Sequence, residues 1–276
     1  MKKLGPEMQR LKEQYGDVSV TMLDGFVAQC EINRPPNNFF DLSLIRDLAE
    51  CFEDLDANSA CRAIVLCSNG KHFCAGANFS SPDRKPEGDV LSAKSADTRN
   101  PLYTEAVRLF HCKKPVIAAV QGAAVGGGFG LAMMADFRVV CENTRMTANF
   151  VKLGFTPGFG LTHTLQRVVG PQKANLLFYT GRRINGETAM EWGIGDIYSD
   201  VETIRDSATS LAREIAENAP LALISVREQM RPGLADAVQA ATDIEGSEQY
   251  WLQRTSDHKE GVASVAERRT GNFQGK

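Results

Sequence analysis

The amino-acid sequence predicts an α/β fold, with a core of repeated strand–helix units over residues 1–200 and a helical region over 201–276. Three observations lead there. Short apolar runs rich in β-branched residues, such as Ala63-Ile64-Val65-Leu66-Cys67 and Val116-Ile117-Ala118-Ala119-Val120, read as buried strands. Amphipathic stretches of helical period lie between such runs, and that alternation argues for an α/β core. Beyond residue 200 the strand signals stop and helical patterns follow one another. The change there is one of composition, not a flexible linker.

In chain order, residues 1–16 are polar and helix-prone and predict a surface arm. Two alternating runs, 18–23 and 26–32, flank Asp24-Gly25. That is a hairpin signal, because both turn residues tolerate positive φ. Asn33-Arg34-Pro35-Pro36-Asn37-Asn38 then breaks the strand as a rigid loop. Residues 43–57 put Leu44, Ile45, Leu48, Cys51, Phe52 and Leu55 on one face of a helix. The strand at 62–67 runs into a loop of small residues over 68–79. Residues 80–100, rich in Ser, Pro, Asp and Lys, predict a loop or lid. A helix at 101–112 delivers the chain to the strand at 116–120. Three glycines, an apolar helical run, a strand at 136–141 and a turn-rich segment at 142–160 follow. Helices are predicted over 161–169, 171–180, 186–192, 201–218, 221–230 and 234–254, and again after Ser256. Pro171 and Pro220 sit just inside two of their starts, where the missing N–H costs nothing.

Composition removes several classes of function. A net charge of −3 and a pI near 5.9 give no electrostatic case for nucleic acid or an anionic membrane. No apolar stretch approaches the ~18 residues of a membrane span. Met1-Lys2-Lys3-Leu4-Gly5-Pro6-Glu7 has no apolar core behind its lysines, so no signal peptide is expected. Seven cysteines, without a C-x-x-C pair, fit free thiols in a reducing cytoplasm. The four histidines lack ligand spacing, and no protein-built metal site is expected.

The stretch from Val116 to Asp136 carries the chemistry. A strand that ends in Gly126-Gly127-Gly128 and feeds a helix leaves free backbone N–H groups at that helix's N-terminus. Such groups favour an anion or a developing oxyanion, and glycine lets a ligand approach. A tight strand-to-helix turn without a ligand accounts for the same residues. A dinucleotide fingerprint does not: Gly126-Gly127-Gly128-Phe129-Gly130 is not G-x-G-x-x-G.

Four segments, in order and spacing, resemble the crotonase, or enoyl-CoA hydratase/isomerase, superfamily. They are Asn33-Arg34-Pro35-Pro36 with Asn38; His72-Phe73-Cys74-Ala75-Gly76-Ala77-Asn78-Phe79; Lys114 to Gly122 with Gly126-Gly127-Gly128 and Asp136; and Ser256-Asp257 with Glu260-Gly261 and Glu267-Arg268-Arg269. The resemblance implies a ββα spiral core with a helical C-terminal trimerisation region, assembled as a homotrimer or a dimer of trimers. It implies an acyl-CoA thioester as substrate and no separate cofactor. The backbone N–H groups of Ala77 and Gly127 would form the oxyanion hole at the thioester carbonyl. Arg34, Pro36, Asn38, Phe73, Ala75, Gly126, Phe129, Gly130, Phe150 and Gly158 would surround the substrate. Lys71, Arg34, Lys259 or Arg268 would meet the phosphates.

One departure from the family pattern narrows the reaction. The family's hydratases place one glutamate two positions after the glycine run and another three positions before the next Leu-Gly. Here those residues are Gly130 and Phe150. Some isomerases use an aspartate just after a proline in the following turn, and here that residue is Gly158. The expected reactions are therefore isomerisation, decarboxylation or C–C hydrolysis, and a binding protein without turnover is the alternative. His163 is the candidate acid/base nearest the expected pocket, with a pKa lowered by the helix start. Asp136 reads as structural, His72 and His111 as packed or surface histidines, and Cys74 as a buried thiol. Asp83, Glu87, Asp89, Asp97 and Tyr103, in or after the lid, are further candidates.

Overall fold

The period-2 alternation along each central strand decides what covers each face of the sheet. The computed structural model describes residues 11–79 and 99–276. Its first half runs β1 (Gln14–Tyr15), β2 (Val18–Leu23), β3 (Val27–Ile32), α1 (Leu42–Ala57), β4 (Ala63–Ser68), α2 (Pro101–Phe110), β5 (Val116–Val120), β6 (Ala123–Val125) and α3 (Gly127–Met134). Next come β7 (Phe137–Val140), β8 (Arg145–Thr147), a 3-10 turn (Asn149–Leu153), α4 (Leu161–Thr180), β9 (Arg183–Asn185), α5 (Gly186–Glu191) and β10 (Ile197–Tyr198). The last helices are α6 (Ile204–Ala216), α7 (Pro220–Met230), α8 (Leu234–Leu252) and α9 (Ser256–Ala266).

The main sheet has the order β1-β2-β3-β4-β5-β7-β10. It is antiparallel through the opening hairpin and parallel from β3 onward. A smaller sheet, β6-β8-β9, carries the chain past the end of β5. Ile64 and Leu66 of β4 and Val116, Ala118 and Val120 of β5 enter the main core, which α1 and α2 also build. The alternate residues Ala63, Val65, Cys67, Ile117 and Ala119 face the other way. There Ile204, Ala208, Ala212 and Ala216 of α6 form an i, i+4 stripe whose small side chains let the helix lie close to the sheet. Strands buried on both faces read as continuous apolar runs, which is why the sequence shows them clearly. α3 is buried at every residue, the burial expected of a helix that is apolar all round. Among the described residues no helix is long and apolar enough to cross a membrane.

Two expectations change. Gln14 and Tyr15 are not part of a helical arm: they pair with β2, and the buried Tyr15 donates its hydroxyl to Asp54 at 2.6 Å. Strand pairing through the backbone leaves no periodicity over two residues. Phe26 does not begin the second strand. It takes φ 62° in the turn between Leu23 and Val27, with the Arg62 guanidinium 3.6 Å from its ring centroid. α4 consists of the two helices the sequence predicts, 161–169 and 171–180, divided at Gly170, where φ is 75° and ψ 163°, just before Pro171. The predicted lid lies, through residue 98, outside the described residues, as do residues 1–10.

Asp136 ties the C-terminal helices to the sheet. Its carboxylate accepts from the Val116 amide at 2.8 Å, from Arg227 Nε at 2.9 Å and from Arg231 Nη1 at 2.7 Å. All three side chains of this ion-pair cluster are at least 86% buried by side-chain area, with exposures of 14%, 10% and 14%. Removing the one carboxylate leaves two buried guanidiniums unneutralised. Asp136→Asn is expected to destabilise the fold by about 3 kcal/mol, read as a lower urea midpoint. An unchanged midpoint would show that the cluster contributes nothing net.

Candidate active site

Two loops of small residues are laced together by their backbones. The Cys74 amide donates to the Ala123 carbonyl at 3.0 Å, and the Val125 amide donates to the Cys74 carbonyl at 3.0 Å. Phe73 adds a bond to the Gln121 carbonyl at 2.8 Å. A Cβ on Gly128 would lie 2.1 Å from the Cys74 oxygen, so the approach requires glycine. Gly126 turns the chain at φ 56° and donates to Thr147 O at 2.9 Å. His72 Nδ1 accepts from the Ala123 amide at 3.1 Å, which needs a neutral imidazole. Burial, and then Lys71, lower its pKa and favour that form. Fully buried Asn38 donates to Asn69 O at 2.8 Å and His72 O at 2.6 Å, and accepts from the Arg34 amide at 2.9 Å.

Where the two loops meet they open on a cavity of about 220 Å³. Ala75, Gly76 and Ala77 line it from one loop, Gly126 and Gly127 from the other. Its walls are Phe39, Phe40, Phe79, Phe150, Phe155 and Phe159, with Val262, Val265 and Ala266 of α9 closing one side. Asn78, Asn149 and Tyr103 are its polar side chains. Among the described residues no carboxylate, imidazole, ammonium, guanidinium or thiol reaches the wall. The Ala77 amide donates to no other described residue. Nor does the amide of Gly127, the first residue of α3. Two N–H groups without a partner among the described residues, in an apolar cavity, can stabilise an oxyanion more strongly than the same groups in water.

Seven of the sequence-predicted residues therefore come together: Ala75, Ala77, Tyr103, Gly126, Gly127, Phe150 and Gly158. The others fall elsewhere and need correction. Phe73 and Phe129 are fully buried core residues. Arg34 is held by Asp17 at 2.6 Å and Asp41 at 2.9 Å, so it braces the loop instead of offering itself to a phosphate. Pro36 is exposed beside it and Asn38 is wholly internal. Gly130 faces Phe159 inside α3. His163 lies in the first turn of α4, off the cavity wall, with Nε2 buried and unpartnered among the described residues. Its pKa is lowered as expected, but by burial and then Arg167 instead of the helix end. Burial pushes the Cys74 thiol up to about 12, which makes it inert. His111, Lys71, Lys259 and Arg268 are exposed. Asp83, Glu87, Asp89 and Asp97 lie outside the described residues.

The family model for Enoyl-CoA hydratase/isomerase matches residues 24–276. The chain belongs to that family. It is 31% identical over 248 residues to the 1,2-epoxyphenylacetyl-CoA isomerase of Escherichia coli (strain K12), covering 89% of this chain and 94% of that protein. It is 32% identical over 247 residues to the 2,3-dehydroadipyl-CoA hydratase of the same organism, with 89% and 94% covered. A crystal structure of an enoyl-CoA hydratase/isomerase from Pseudoalteromonas atlantica T6c superposes with a TM-score of 0.81 at 24% identity, covering 94% of this chain and all of that one.

The family frame makes three positions informative. At position 130 a Cβ would lie 2.7 Å from the Cβ of Phe159, so that place is filled by a neighbouring aromatic residue. Position 150 is itself phenylalanine, packed edge-on to Phe155 at 5.6 Å. At position 158 a Cβ would lie 2.0 Å from the Tyr103 hydroxyl. Sequence reading missed Phe39, Phe40, Phe155, Phe159 and the α9 residues as cavity wall. The Phe39-Phe40 pair directly after the rigid loop was the one local signal available.

Glu245 of α8 holds the turn behind Phe159. It is 2% exposed and accepts from the Gly160 amide (2.8 Å), the Thr162 amide (3.0 Å) and the Thr162 hydroxyl (2.6 Å). These bonds satisfy the N-terminus of α4, which has no side-chain cap of its own. Burial nevertheless pushes its carboxyl from 4.5 up to about 7. A carboxyl raised in the folded state adds stability below the unfolded pKa and loses it as pH rises through the folded one. From 4.5 to about 7 this group is therefore expected to remove up to about 3 kcal/mol of stability. Glu245→Gln should flatten the stability profile across that window; an unchanged profile in urea titrations would assign the pH dependence elsewhere.

Proposed function

We propose that the protein processes acyl-CoA thioesters through an enolate or tetrahedral oxyanion held by the Ala77 and Gly127 amides. The reaction is isomerisation, decarboxylation or C–C cleavage, not two-glutamate hydration. One observation carries this reading: two unpaired amides share a cavity with no carboxylate on its wall among the described residues. Adding water to a 2-enoyl thioester needs a base for the water and an acid for Cα, each typically worth 10²–10⁴-fold. Gly130 and Phe150 supply neither. Loss of CO2 from a malonyl-type thioester needs less. The electrons of the breaking C–C bond pass into the thioester carbonyl, the two amides hold the enolate oxygen, and a proton from solvent completes the product. No cofactor is required beyond the CoA that the substrate brings. Seven free, buried cysteines support a reducing cytoplasm, and the exposed apolar residues Leu221, Met230 and Trp251 on α7 and α8 support assembly as a homotrimer or a dimer of trimers. The missing carboxylates favour a second reading equally, an acyl-CoA-binding protein without turnover.

A panel of 2-enoyl, 3-enoyl, malonyl-type and β-keto acyl-CoA thioesters, followed by mass spectrometry and chromatography, decides between them. Loss of CO2, an isomer or a cleaved acyl chain is expected. Gly127→Pro, which deletes one donor, should lower kcat by about 10²–10³-fold. Hydration of crotonyl-CoA at a rate lost in Gly127→Pro would overturn the reading. Binding with no product from any thioester would establish the second one.

A further inference from the structure

One ring belongs to two cavities. Beyond the acyl cavity lies a second, of about 680 Å³, with a mainly apolar lining that includes Val151, Pro157, Phe178, Leu252 and Phe273. The chain between the two, residues 149–158, is a partition. Phe150, Leu153 and Gly158 line its acyl side, and Val151, Gly154, Thr156 and Pro157 line its far side. Among the described residues Phe155 alone lines both cavities. Its side chain is nearly closed off from solvent, at 4% exposure, and fills the space between them.

Two sets of contacts keep the partition shut. The Phe155 ring meets Phe150 at 5.6 Å, Phe79 at 5.8 Å and His258 at 5.3 Å, each edge to face. The backbone beside it is pinned to α9. The Leu153 carbonyl, which only accepts, takes a hydrogen bond from His258 Nδ1 at 2.7 Å. A Cβ on Gly154, where φ is 72°, would lie 2.7 Å from the Asp257 carbonyl oxygen. With the backbone held, the size of the Phe155 side chain decides whether the cavities join.

We propose that Phe155 sets the length of acyl chain that the site accepts, by closing the acyl cavity against the second one. This rests on the acyl-CoA reading above and narrows its substrate class to thioesters whose acyl chain ends at that ring. Each methylene buried against the phenylalanine wall is worth about fourfold in affinity. A methylene that reaches Phe155 gains nothing, because a close-packed ring held on three sides does not yield without strain. With the ring removed, the distal methylenes would pass into the second cavity and be buried there. Phe155 is then a specificity-determining residue, distinct from the amides that hold the thioester oxygen.

Calorimetric titration of the full-length protein with butyryl-, hexanoyl-, octanoyl-, decanoyl- and dodecanoyl-CoA tests it. Wild-type affinity should climb by about tenfold for each two carbons and then stop climbing. Phe155→Ala should move that stop to a longer chain. The longest thioesters should bind it at least about tenfold more tightly than they bind the wild type, with butyryl-CoA within about threefold. A merely structural role would weaken all five alike. Uniform weakening, the same stop in the variant, or a wild-type climb without a stop overturns the proposal and leaves the acyl-CoA reading standing. Failure of the wild type to bind any of the five overturns both. Should Phe155→Ala not fold, Phe155→Leu, which keeps more of the packing, carries the same test with a smaller shift. Should neither variant fold, the wild-type series decides alone.

Discussion

The Cys74 carbonyl and the first turn of α3 approach so closely that one methyl group would part them. A Cβ on Gly128 would meet that oxygen at 2.1 Å. Much of the site depends on this approach. It sets the parallel bridge between Cys74 and Ala124, brings Ala77 and Gly127 to one cavity, and leaves their amides without backbone partners among the described residues. The contact is in turn supported from outside. Asn38 and His72 fix one loop, while Arg34 is held in place by two aspartates and donates its own amide to Asn38. A polar scaffold of mutually satisfied groups thus positions two donors that have no partner among the described residues. Preorganisation of this kind has its cost met during folding, so little reorganisation remains when charge develops on a ligand.

Around the same cavity, packing decides what three positions can hold. Position 130 faces the Phe159 side chain, position 150 is a phenylalanine, and position 158 faces the Tyr103 hydroxyl. These are replacements by volume as well as by residue type. A glutamate at 130 would need Phe159 to move, and Phe159 is fully buried against Phe40, 5.8 Å between ring centroids. Close packing couples the three positions, so restoring a carboxylate at one of them is not a single change.

Much of the fold was legible because its strands are buried on both faces and its helices on one. β4 and β5 announce themselves as unbroken apolar runs, α1 by a stripe from Leu44 to Leu55, and the opening hairpin by Asp24-Gly25. β1 was not legible, since two residues paired through the backbone carry no pattern. In the site, the Gly126-Gly127-Gly128 run could be read from its place between a strand and a helix, whereas Ala77 came from the family resemblance; Gly126, Gly127 and Ala77 line the cavity. Arg34, Asn38, Phe73 and Phe129 fall in the right segments, but their side chains point into the scaffold, and no spacing rule reports which side of a loop faces a ligand. The aromatic wall comes from four separate segments and becomes a wall only through tertiary packing.

Among the described residues the cavity wall carries no charge, and that is itself a chemical statement. In a cavity lined by phenyl rings, a carboxylate brought in on a substrate loses hydration without gaining a counter-ion, which raises the energy of the charged group. An enolate oxygen at the Ala77 and Gly127 amides gains two donors in the same low-dielectric space. On the proposed reading, the environment penalises charge at the acyl end and rewards it at the thioester carbonyl. A reaction that moves negative charge from the first place to the second is favoured by both terms at once, and it needs no side chain to carry a proton while it does so.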